Sequence, residues 1–176
     1  MGENMDKFIP DMYQKSIYTI PYKKLKKRGI KCLLFDLDNT LIPYTMDVPT
    51  KEVKDLFLKL EEDFKVIIMS NSGKTRLTPF KEQLNVDVAF SSCKPLKKKY
   101  KKIMKIYNYK DTEIAAIGDQ LVTDIFGANR NKITSILINP IGEAEPVTTK
   151  FNRMIERQIY KRLLKKGLLE KGKYYE

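Results

Sequence analysis

The stretch Phe35-Asp36-Leu37-Asp38-Asn39-Thr40-Leu41 decides how the rest of the chain is read. It closes an apolar segment, residues 30–35, that has the composition of a buried strand. Two carboxylates then follow where that strand should end. In extended backbone, positions i and i+2 point to the same side, so Asp36 and Asp38 are expected to project together. Like charges this close resist joint ionisation unless they share a cation or one keeps a proton. The competing reading is an Asx turn that merely closes a strand, since the same residue types make good turns.

Working outward, the pattern recurs. Strand-like Lys65-Val66-Ile67-Ile68-Met69 runs into Ser70-Asn71-Ser72-Gly73, and Lys94-Pro95 precedes a helical stretch. Residues 113–117 end at Gly118-Asp119, with Asp124 five residues beyond. Strands are expected near 31–36, 65–70, 86–90, 113–118 and 134–139. Helices are expected near 50–62, 75–84, 96–107, 121–130 and 148–165. Val/Ile/Leu-rich strands alternating with helices over short connections predict an α/β fold, a doubly wound parallel sheet with a five-stranded core. Right-handed crossovers put every strand's carboxyl end on one edge, where ligands bind. Asp36, Ser70 and Asp119 all fall at such ends. The chain reads as a single domain: a basic, irregular leader (1–28), a catalytic core (29–145) and a basic amphipathic helix with a tail (146–176).

Composition narrows the chemistry. There is no histidine among the 176 residues, which excludes Ser-His-Asp and Cys-His catalysis and any His-metal site. Acid-base work falls to carboxylates, lysine or tyrosine. Two cysteines, Cys32 and Cys93, provide neither a disulfide framework nor zinc spacing, and the expected compartment is the reducing cytosol. A cysteine phosphatase loop needs Cys-x5-Arg, and Lys99 stands at the arginine position. The amino terminus reads neither as a signal peptide nor as a complete myristoylation motif, and no stretch has membrane-spanning length. The formal net charge of +12 favours an anionic partner: nucleic acid, an anionic membrane surface or a phosphorylated molecule.

The ordered set (Asp36-x-Asp38, Ser70-Asn71, Lys94-Pro95, Gly118-Asp119-x4-Asp124) resembles the haloacid dehalogenase (HAD) superfamily of phosphotransferases over roughly residues 30–140. The Asp-Leu-Asp-Asn-Thr form and the lack of room for a substantial cap look like its subclass IIIA phosphatases. The leader Phe8-Ile9-Pro10-Asp11 and residues 22–29 look like the bacterial branch similar to mitochondrial phosphatidylglycerophosphate phosphatase. Leu37 departs from those mitochondrial relatives, which commonly carry lysine between the two aspartates.

The resemblance implies a Rossmann-like fold and phosphoryl transfer. Asp36 would be the nucleophile, Asp38 the general acid and then base, and Lys94 the neutralising cation. Ser70 and the Asn71 amide would hold phosphoryl oxygens. Asp36, Asp38 (through its carbonyl) and Asp119 would ligate Mg2+. Asp124 would orient a metal-bound water or cap a helix. Magnesium suits an oxygen-rich, histidine-free site. The implied substrate is phosphatidylglycerophosphate, approached from the cytosolic face of the membrane.

Two helices are strongly basic. In residues 96–107, Leu96, Tyr100, Ile103, Met104 and Tyr107 form the apolar face, opposite five lysines. In residues 148–165 the expected stripe is Phe151, Ile155, Ile159 and Leu163, surrounded by Lys and Arg. Such helices either cover a sheet or lie on a membrane surface. The alternative functions are a nucleic-acid or ribosome-associated basic protein with secondary phosphatase activity, or a phosphatase of another large or small phosphate ester. Against the first, no basic motif interleaved with aromatics is present.

Overall fold

A computed structural model describes residues 5–176, with Val147 and Thr148 described in backbone only. Six strands form one parallel sheet: β1 (Met12–Gln14), β2 (Cys32–Phe35), β3 (Lys65–Met69), β4 (Asp87–Ala89), β5 (Ile114–Gly118) and β6 (Thr134–Ile138). Their order across the sheet is β1-β6-β5-β2-β3-β4. The chain winds outward from β2 through β3 to β4, then returns to the other side of β2 for β5 and β6. The reversal between β2 and β5 is a topological switch point, the crevice where ligands bind in such sheets.

The helices are α1 (Tyr22–Lys27), α2 (Lys51–Glu61), α3 (Lys74–Leu84), α4 (Lys97–Tyr107), α5 (Phe126–Arg130) and α6 (Val147–Lys165). Strand period sorts the core into two faces. Leu33 and Phe35 of β2 join Leu25, Val53, Phe57, Leu77 and Phe80 of α1–α3. Cys32 and Leu34 face the other way, onto Tyr100 and Ile103 of α4 and Ala128 of α5. α6 extends that second layer, with Ile159 and Leu163 packed on Leu137, Leu121 and Ile125. Between β2 and β3, and between β3 and β4, the chain builds α2 and α3 and no cap domain.

Three expectations change. The sheet has six strands because the leader is not irregular: it supplies α1, pinned by fully buried Leu25, and edge strand β1. Strand β1 pairs Met12 with Ile136, and the Asp11 carboxylate accepts the Ser135 N–H at 2.8 Å. Three residues are too few to show a period, so β1 has no signature in the sequence. The tail returns to cover it through paired Tyr13 and Tyr175 backbone bonds, 2.9 Å each.

The helix expected over 121–130 opens as a π turn, Leu121–Ile125, before α5 begins. Finally, α6 is rotated relative to the expected stripe. Its buried side is Glu156, Ile159 and Leu163, while Phe151 and Ile155 are exposed. Glu156 is buried because its carboxylate accepts the Val122 N–H (3.2 Å) and pairs with Arg153.

Candidate active site

Asp36 is the first residue past β2, and its N–H still continues the ladder by donating to the Ile117 carbonyl at 2.9 Å. Its side chain is buried, and Oδ1 accepts from Lys94 Nζ at 2.6 Å. The same ammonium donates to Asp124 Oδ1, also at 2.6 Å. Asp119 follows β5 immediately. Its Oδ1 accepts from Thr40 Oγ1 at 3.1 Å and its Oδ2 from Arg153. One oxygen from each of Asp36, Asp119 and Asp124 lies within 4.8 Å of the other two. Three carboxylates face two cations, Lys94 and Arg153, so the buried group keeps an excess of negative charge. A divalent cation with a preference for hard oxygen ligands fits that donor set.

Local structure explains how Asp124 reaches the cluster. The π turn wraps its carboxylate back over Gly118, where Oδ2 accepts the Gln120 N–H at 3.1 Å. A β-carbon on Gly118 would lie 2.6 Å from Asp124 Cβ, so only glycine leaves room for that side chain. The Gln120 N–H bond ties the carboxylate to the N-cap residue of the π turn, while α5 has Ile125 at its N-cap and no side-chain cap bond. Inserted π turns recur at functional sites because they re-aim one side chain.

Lys94 is positioned by Asn71. The Asn71 amide spans the Lys94 backbone, accepting its N–H at 2.7 Å and donating to its carbonyl at 3.1 Å. Ser70, at the end of β3, is buried, and its Oγ accepts the Ser72 N–H at 3.1 Å.

Asp38 lines the same cleft as Asp36 and has partners of its own. Ser72 Oγ donates to its Oδ2 at 2.7 Å, and Arg76 donates twice to its Oδ1, at 3.1 and 2.8 Å. The turn over residues 37–41 is tied by Thr40 and Leu41 N–H bonds to the Leu37 carbonyl and has Asn39 in the left-handed region (φ +62°). The open cleft of about 330 Å³ is lined by Asp36, Asp38, Ser70, Asn71, Lys94 and Asn152 among others. A larger groove of about 1010 Å³ lies between α6 and residues 138–145 and reaches the far side of Asp119 and Arg153.

Burial pushes the Asp36 carboxyl above its ordinary range, with Lys94 pulling the other way. Asp119 is raised for the same reason, against the pull of Arg153. Burial alone would lower Lys94, but the Asp124 and Asp36 carboxylates overcome it and raise it, so its ammonium stays charged. The arrangement therefore offers a fixed cation beside a buried carboxylate, with a second carboxylate, Asp38, lining the same cleft.

Several residues of the site have no sequence signature. Arg76 on α3 clamps Asp38 from 38 positions away. Arg153 on α6 is held by Glu145 (2.7 Å) and Glu156 (2.8 Å) while it pairs with Asp119. In the sequence it looks like one cation of a solvated face. Thr40 was within reach, since it belongs to the same tight turn as Asp36 and Asp38.

Comparison with known proteins agrees with this architecture. The family model described as mitochondrial PGP phosphatase matches residues 2–142. The Bacillus subtilis protein named "Probable phosphatase YqeG" is 35% identical over 93% of this chain and 95% of its own length. Phosphatidylglycerophosphate phosphatase 1 of Arabidopsis thaliana is 29% identical over 91% of this chain, which spans 49% of that protein. Among solved structures, a HAD family enzyme from Bacteroides thetaiotaomicron, determined as a magnesium complex, superposes with TM-score 0.51. That alignment has 17% identity and covers 70% of this chain and 98% of that one. The chain is thus a phosphatase of the HAD superfamily and belongs to its mitochondrial PGP phosphatase family.

Proposed function

We propose that the chain is a Mg2+-dependent phosphomonoesterase working through an aspartyl-phosphate on Asp36, with phosphatidylglycerophosphate at a membrane surface as its substrate. The observation that carries the chemistry is the Lys94 ammonium fixed at 2.6 Å between buried Asp36 and Asp124. A carboxylate nucleophile attacks phosphorus, the ester oxygen leaves with a proton from Asp38, and the same Asp38 then takes a proton from the attacking water. Lys94 neutralises the charge gathered on the phosphoryl oxygens and on Asp36, while Ser70 and the Asn71 N–H receive those oxygens.

Magnesium, held by the carboxylates of Asp36 and Asp119 and the Asp38 carbonyl, would supply further charge neutralisation, with Asp124 beside it. The buried acidic cluster and the magnesium complex of the structural neighbour support that ion. The absence of a cap domain leaves the cleft open to a headgroup that remains in a bilayer. The name of the Arabidopsis relative supports the lipid.

The test is phosphate release from phosphatidylglycerophosphate in mixed micelles, with and without magnesium, beside para-nitrophenyl phosphate. Fast magnesium-dependent release from the lipid is expected. Rates no better than those for the small ester would sink the lipid assignment.

A further inference from the structure

We infer that the outward face of α6 is a docking surface for an anionic lipid bilayer, placed at the mouth of the catalytic cleft. The rotation of α6 leaves Phe151, Met154 and Ile155 in solvent, at 60%, 54% and 37% of full exposure. At about 100° per residue these three fall within roughly a third of the helix circumference. Clustered exposed apolar side chains mark an interaction surface, unlike singly scattered ones. Thr149 and Asn152, on the same turns, line the catalytic cleft. A further exposed apolar residue, Tyr44, stands at that mouth.

The exposed charge of α6 itself has one sign. Lys150, Arg157, Lys161, Arg162 and Lys165 are all exposed, and the only acidic residue of α6, Glu156, is 3% exposed and turned inward. A nucleic acid would satisfy the cations but leave three large apolar side chains in water. An anionic bilayer satisfies both, because apolar side chains enter the boundary of the acyl chains while lysine and arginine meet the headgroups. The inference rests on the lipid reading of the active site. It adds which surface meets the bilayer and that apolar insertion, and not basic charge alone, holds it there.

The chain contains no tryptophan, so Phe151→Trp in the full-length protein places a single indole on the proposed face. Vesicles of equal parts phosphatidylglycerol and phosphatidylethanolamine should shift its emission to the blue, and brominated acyl chains should quench it. Phosphatidylcholine alone should do neither. The triple variant Phe151→Gln, Met154→Gln, Ile155→Gln should lose about tenfold or more in vesicle affinity. Its thermal melt and its turnover of para-nitrophenyl phosphate should not change, since none of the three residues lies in the site.

An indole that stays in water with anionic vesicles would overturn the inference, as would a triple variant that sediments with them as the wild type does. So would vesicle-independent binding of single-stranded RNA that the triple substitution abolishes. Intact vesicle binding with no phosphate released from phosphatidylglycerophosphate would support the docking surface and remove the substrate, so the two readings fail separately.

Discussion

At the scale of single residues, the site is a problem of charge held out of water. Asp36, Asp119 and Asp124 are nearly inaccessible, and Lys94 and Arg153 are the cations that make their burial tolerable. Breaking a buried pair leaves its partner uncompensated, typically at a cost of several kcal/mol. Arg153→Gln strands Asp119 and Glu156, so its denaturant midpoint should fall by the equivalent of about 3 kcal/mol. A loss within about 0.5 kcal/mol, the range of an ordinary surface substitution, would contradict that role. Magnesium should act in the opposite direction. Present at about 100 times its dissociation constant, it should stabilise the fold by about 2.7 kcal/mol. A melting temperature insensitive to magnesium and to chelator would mean that the carboxylate cluster does not hold the ion.

Cys32 supplies a pH dependence away from the site. Burial in β2 pushes its thiol from 9.0 up to about 12. The unfolded chain therefore releases this proton at lower pH than the folded one. The stabilisation is complete below about pH 9 and is lost as pH rises towards 12. Over that window a Cys32→Ala variant should show a shallower fall in stability than the wild type. In native protein at pH 8, a thiol reagent should modify exposed Cys93 and spare Cys32 until denaturant is added.

At the scale of elements, the turn after β5 does the most for the site. Its π geometry carries Asp124 across Gly118 to meet Lys94. Gly118→Ala places a methyl where the Asp124 side chain lies, so that carboxylate must move. Misplacing a positioned group by about 1 Å costs about a hundredfold in rate. Gly118→Ala should therefore lower kcat by about that factor while the far-ultraviolet circular dichroism is retained. Unchanged kcat would show that the position of Asp124 does not matter to turnover.

The element scale also separates what was legible in the sequence from what was not. Strands β2 to β6 and the residues that follow β2, β3 and β5 could be read because each signal is local: an apolar run, then a polar turn. Strand β1 is three residues long and depends on Asp11 and Ser135, 124 positions apart. The expected stripe of α6 failed in its first half because a buried ion pair, Glu156 with Arg153, outweighs two apolar side chains in setting the helix rotation. Arg76 and Arg153 escaped notice because an arginine's partner across the fold leaves no mark on its sequence neighbours.

At the scale of the whole molecule, the doubly wound sheet brings four distant segments to one edge. Asp36, Ser70 and Asp119 arrive on the ends of β2, β3 and β5, and Lys94 on the segment that follows β4. Without a cap domain, the cleft opens directly to the surroundings, with α6 and its exposed apolar turn beside it. The solvated lysines of α4 add to the net charge of +12 without touching the site. That excess favours anionic surfaces at a distance and is weakened by salt.

The claim on which the rest depends is that Asp36 is the nucleophile. Its most direct test is magnesium-dependent phosphate release by Asp36→Asn beside the wild type, with the melt of each recorded. The asparagine keeps the size of the side chain but has no carboxylate to attack phosphorus. A loss of about a thousandfold or more in kcat with the fold intact is expected. Wild-type turnover by a folded Asp36→Asn protein would contradict that claim.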